Sequence, residues 1–142
     1  MAIIQTLTTS FKVELAQGLH NFTAGTGNVF KMALYTANAD LGASTTAYTA
    51  AGESSGTNYS AGGIVLTNIT PAFQGTTAYW SFDTATYTNV TLTANGALIY
   101  NSTNGNRSVA VLNFGVNITK TAQNLVITFP VHGATNAVLR IA

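Results

Sequence analysis

The chain has 142 residues with five basic and four acidic side chains, a net charge of +1, and no cysteine. Charged residues make up 6 % of it, against about a quarter in ordinary soluble domains. That composition excludes disulfides, thiolate metal sites and cysteine nucleophiles, and Lys12, Lys31, Arg107, Lys120 and Arg140 are too few to neutralise many phosphates, so nucleic acid is not an expected partner.

Apolar residues reach 46 % but are scattered, and no run approaches the roughly 18 that a spanning helix needs. No membrane partner is expected. The opening MAIIQTLTTSFKVEL lacks a basic n-region, a continuous apolar stretch and a small-residue cleavage site, so no secretion signal is expected either. Thr, Asn, Ser, Ala and Gly replace charge, and they pack or hydrogen-bond at small desolvation cost. With a mean hydropathy of +0.26, such a near-neutral surface favours association. The length fits one domain, 1–142.

Residues 1–9 read as an arm, with Ile3, Ile4 and Leu7 able to form an edge strand or reach a neighbour. A short helix is predicted over 10–18: Ser10 caps it, Phe11, Leu15 and Leu19 share a face, Lys12 and Glu14 point elsewhere, and Gly18 supplies a left-handed end. Val29–Tyr35 alternates, with Phe30, Met32 and Leu34 on one face and Lys31 and Ala33 on the other, as in a half-buried strand. Residues 36–63 lose periodicity, and a loop this long is either functional or disordered; Tyr48 and Tyr59 are its candidate anchors. Ile64–Ile69 ends before Pro71, which suits a strand end or an edge. Gln74-Gly75 permits a reversal. Ala78, Trp80 and Phe82 oppose Tyr79, Ser81 and Asp83, which places the tryptophan in the core. Asn95-Gly96 is predicted to turn between Thr88–Ala94 and Ala97–Ser102, and Asn104-Gly105 between that strand and Arg107–Phe114. Leu125, Ile127 and Phe129 alternate with Val126 and Thr128, and Val138–Ile141 gives a last strand. The expected class is all-β: a single-domain antiparallel β-sandwich or jelly roll with one short N-terminal helix.

Chemistry-bearing residues are sparse. His20 and His132 have no HxH or HExxH partner, so each reads as a capping or surface histidine. Glu14, Asp40, Glu53 and Asp83 are the only carboxylates available for a glycosidase pair, and ordinary solvated charge explains them. No G-x-S-x-G elbow occurs. Gly25-Thr26-Gly27 and Gly62-Gly63 lack the lysine and spacing of a phosphate loop. Asn21, Asn58, Asn68, Asn89, Asn101, Asn106 and Asn117 each begin N-x-[ST], as chance provides in a chain this rich in Asn, Ser and Thr. Six tyrosines offer either a sugar-binding face or core packing. No catalytic residue, cofactor or metal ligand is assigned.

The run Phe11-Lys12-x-Glu14-Leu15 with Gly18-x-His20-x-Phe22, then Phe30 to Thr36 and Leu41 to Tyr48, resembles small virion structural proteins of tailed bacteriophages. Gly96 to Asn101, Asn106-Arg107 and Val109 to Leu112 extend the likeness over nearly everything from Phe11 onward. The resemblance is closest to capsid decoration, or cement, proteins. It implies a β-rich homo-oligomer, a dimer or trimer. Such a protein is made in the bacterial host cytoplasm and placed on the capsid exterior, where it binds the major capsid protein and braces the shell. No catalytic motif transfers with it. The expected interface residues are Ile3, Ile4 and Leu7 on the arm and Tyr48 and Tyr59 in the loop. The alternatives are a tail-fibre or receptor-binding module that grips host glycans, and a particle-borne glycosidase using Glu53 or Asp83.

Overall fold

The computed structural model describes residues 2–142; Met1, the first residue of the expected arm, lies outside them. Eight strands and one helix follow the order β1 (Thr6–Leu7), α1 (Thr9–Ala16), β2 (Phe30–Tyr35), β3 (Ile64–Val65), β4 (Ala72–Gln74), β5 (Thr77–Trp80), β6 (Ala85–Asn101), β7 (Arg107–Ile127) and β8 (Leu139–Ile141). They form a five-stranded sheet, β1-β7-β6-β2-β3, and a three-stranded sheet, β4-β5-β8. All pairings are antiparallel, and the two sheets pack as a sandwich-like fold around a mostly apolar core.

The helix starts at Thr9, and its N-cap is Thr8 rather than Ser10. No side chain caps it, because Thr8 is fully buried and its hydroxyl accepts a bond from Ser108 at 2.9 Å. Gly18, at φ +74°, ends the helix as expected. Phe11 enters the core, but Glu14 does so too. Three residues apart on a helix, the two side chains share a face.

β2 keeps the expected alternation, yet both of its faces are covered. Phe30, Met32 and Leu34 join the main cluster, while Ala33 and Tyr35 join a second with Ile3, Leu41 and Leu98. The second layer on that face is the loop itself. Residues 36–63 are tied down by bridges Tyr35↔Glu53, Ala47↔Arg107 and Thr57↔Thr91, which supply the backbone partners that a long unpaired segment would otherwise lack.

The largest departure from expectation is the hairpin. Thr88–Ala94 and Ala97–Ser102 are not two strands across an Asn95-Gly96 turn, since both lie in the 17-residue β6, which ends at Asn101. Gly96 pairs with Tyr35 on one side and Asn113 on the other. A Cβ there would stand 2.5 Å from the Leu112 carbonyl oxygen and 2.9 Å from Ile3 Cγ2, so this glycine marks a close approach beside a register shift and not a reversal. Asn104-Gly105 does turn the chain, within the 102–106 loop. Asn106 (φ +57°) and Gly105 (φ +64°) take the left-handed conformation there.

Register shifts at Tyr87/Val90, Val90/Leu92 and Ala94/Gly96 bend the hairpin, as bulges do. Its far half folds back until the Tyr87 hydroxyl donates to the Met32 carbonyl at 2.5 Å. This fold-back closes the core over Trp80, Phe82, Leu125 and Phe129. The Gln74-Gly75 reversal, the buried Trp80 and the final strand all appear where expected.

Candidate interaction surface

Two carboxylates that sequence pattern assigns to solvent are hubs of the polar structure. Glu14 is 6 % exposed. It accepts a bond from Arg107 Nη1, and its other oxygen lies 3.2 Å from His20 Nε2. Asn101 Nδ2 donates to His20 Nδ1 at 3.1 Å, so Nδ1 is the acceptor and the proton sits on Nε2, facing Glu14. Burial is the chief cause that lowers the His20 pKa below 6.5, outweighing the opposing pull of Glu14. His20 is therefore neither a capping nor a surface residue. It is a neutral ring that locks the helix to the hairpin end.

Glu53 does the same for the long loop. Its carboxylate accepts the Tyr48 hydroxyl at 2.5 Å, the Tyr59 hydroxyl at 2.8 Å and the Gly62 N–H at 2.7 Å. It is thus not a freely solvated charge. The Tyr59 oxygen in turn accepts the Leu34 N–H at 2.8 Å, and Tyr100 and Tyr35 donate to the carbonyls of Gly62 and Thr49. Five of the six tyrosines are consequently spent on order inside the chain. Desolvation, reinforced by the Glu53 charge, pushes Tyr48 up to about 12 and raises Tyr35, Tyr59 and Tyr100; burial also raises Tyr87. The sixth, Tyr79, packs edge-on against His132 at 4.8 Å. Asp83 and Asp40 are exposed. Among the described residues the one ion pair is Arg107–Glu14, and no group of three or more His, Asp or Glu is placed to hold a metal ion.

The five expected interface residues fall into two groups. Ile3 is 6 % exposed, bridges Leu41 and packs in the second cluster. Leu7, in β1, packs half-buried against the main core. Tyr48 stacks on Tyr100 at 5.0 Å, and Tyr59 lies beside Tyr87. Ile4, at 61 % exposed, presents its side chain outward. The arm and the loop are joined by backbone bonds from Ile4 to Leu41 and from Leu41 to Ala2, both 2.9 Å. Together they wall an open depression of about 510 Å³ lined by Ile4, Asp40, Ser44, Thr45, Thr46 and Thr49. Apolar Ile4, Leu41 and Ala43, one carboxylate and a set of hydroxyls line it, with no general acid–base pair among them.

Other exposed apolar side chains escaped the sequence reading. Phe73 (77 %), Val131 (75 %) and Val116 (64 %) stand out. Phe73, Ala78 and Ile141 occupy one cross-strand row of the small sheet, on the same face as the buried Trp80. Alternation with Trp80 places Ala78 of this row on the core side, yet it is exposed. What alternation misses is that the small sheet overhangs the core. Comparison with family models, curated proteins and solved structures finds no match.

Proposed function

We propose that this chain is a non-enzymatic virion structural protein, a capsid decoration protein that binds the outer surface of a tailed-phage shell and stabilises it. The observation that carries the reading is the joined arm and loop. Residues 36–63 are held in one conformation by a buried-side tyrosine–carboxylate clasp, and their outer side, with Ile4, is a nearly uncharged concave surface. A preordered surface of small polar groups binds without a large ordering cost. Repeated over many copies, weak contacts sum to firm attachment. The likeness of the Phe11–Tyr48 and Gly96–Leu112 runs to virion proteins supports the same reading.

Purified chain added to particles that lack it should saturate in simple ratio to the major capsid protein. Ile4→Ser should weaken that binding about tenfold, as expected for a central apolar contact worth about 1.4 kcal/mol, while urea unfolding of the free chain stays unchanged. Absence of particle binding, or binding indifferent to Ile4, would contradict the proposal. Retention on host cells or glycans instead would point to the receptor-binding alternative. That alternative gains no support from the tyrosines, since five of their hydroxyls are spent within the chain.

A further inference from the structure

The backbone edge of β7 is the most conspicuous unsatisfied feature of the fold. β1 covers β7 only at Ala110 and Val111, and side chains of the arm reach on to Asn113. From residue 118 to 127 the strand pairs with β6 on one side, the 114–117 stretch lying in the register shift between Ala94 and Gly96, and among the described residues no loop backbone bonds to the other side. Proteins usually blunt such an edge with proline, several charges or a covering element. This one has no proline and a single charge, Lys120.

Left-handed residues Gly115 (φ +78°) and Ala122 (φ +49°) interrupt the edge and leave one window between them, Val116-Asn117-Ile118-Thr119-Lys120-Thr121, in which Ile118, Thr119 and Lys120 stand in register with Ala94, Thr93 and Leu92. Within it, Val116 is 64 % exposed. Asn117 and Thr119 are bonded to Asn95 and Thr93 on the outer face, which holds the window flat against β6.

We propose that this window pairs antiparallel with the same window of a second copy of the chain. Unpaired N–H and C=O groups along an extended strand are matched by another strand. A two-fold contact sets like residues near like, so charge decides which registers are open. Antiparallel neighbours share a face, which restricts the two-fold axis to a position on a residue of the window. An axis at Lys120 would oppose two ammonium groups. An axis at Ile118 sets Ile118 beside its own copy and Val116 opposite Lys120 of the partner subunit, and the remaining pairs are neutral. Six residues of edge bury less than the roughly 800 Å² per partner of a stable complex, so the pairing is weak, concentration-dependent and suited to a repeating array. The inference stands on the edge itself and holds whether or not the chain decorates a shell.

The test is sedimentation velocity of the full chain over a concentration series at low salt. The wild type should shift from monomer to dimer as concentration rises. Val116→Lys, which opposes lysines at both ends of the window, should raise the dissociation constant about tenfold or more, and Val116→Glu should lower it by pairing with Lys120. Lys120→Glu combined with Val116→Lys should restore association. Each variant's unfolding curve in urea establishes that it folds. A wild type that stays monomeric throughout, or association unmoved by either Val116 variant, overturns the proposal. Because these readouts use free protein, they fail or succeed separately from particle binding.

Discussion

Glu53 shows how one side chain organises a region whose composition suggests none. An acid in a stretch of Ala, Gly, Ser and Thr reads as solvated, and nothing local says otherwise. Its three donors come from Tyr48, Tyr59 and the Gly62 backbone, and they converge only once the loop is laid on β2. Tyr48 and Tyr59 were legible as anchors because large amphipathic rings in a small-residue loop need somewhere to go. The anchoring carboxylate was not, and neither was Glu14, whose partner Arg107 is 93 positions away. The tyrosines also fix a pH dependence. Their pKa values are raised in the folded chain from the ordinary 10.0, so above that pH the unfolded chain loses protons that the folded chain keeps. Stability should therefore be full below pH 10.0 and fall as pH rises beyond it, with each tyrosine adding a slope of up to about 1.4 kcal/mol per pH unit. Tyrosinate absorbance followed alongside urea unfolding checks this. The folded chain should ionise late and mostly as it unfolds; five tyrosines titrating near 10.0 in a chain that stays folded would contradict the clasp.

The two Asn-Gly pairs separate what sequence can and cannot say about elements. Both carry the same local signal for a reversal, and only Asn104-Gly105 makes one. At Asn95-Gly96 the missing side chain admits the Leu112 carbonyl and Ile3, neighbours supplied by tertiary structure. Strand identity was readable at β2, β5 and β8 from alternation alone, but burial was not, since both faces of β2 are covered and Ala78 and Ile141 are exposed. The 17-residue and 21-residue lengths of β6 and β7 were not, because bulges break the period and mimic strand ends. The contrast predicts unequal costs in urea unfolding. Gly96→Ala should destabilise by about 2–3 kcal/mol through overpacking against backbone. Gly105→Ala, with nothing within 4 Å of the added Cβ and only a left-handed φ of +64° to bear, should cost about 1 kcal/mol. Equal losses at the two positions would mean that Gly96 is not tightly enclosed.

At the scale of the molecule, the proposal of assembly rests on the scarcity of charge and the shape of the surface. The one ion pair among the described residues, Arg107–Glu14, is spent on an internal carboxylate that His20 also bonds. The outer surface thus has an exposed Ile4 beside a hydroxyl-lined depression, an uncovered strand edge and an overhanging apolar row at Phe73 and Ile141. The scarcity of charge is what raised the expectation of permanent contact. The proposed place of contact joins the arm and the loop, both named from the sequence, through backbone bonds at Leu41 that depend on the fold. The central claim is that many copies of this chain coat a shell. Counting the chain per purified virion against the major capsid protein, by quantitative mass spectrometry, tests it most directly: the account requires hundreds of copies in simple ratio to the capsid subunit, and a handful of copies, or none, would contradict it.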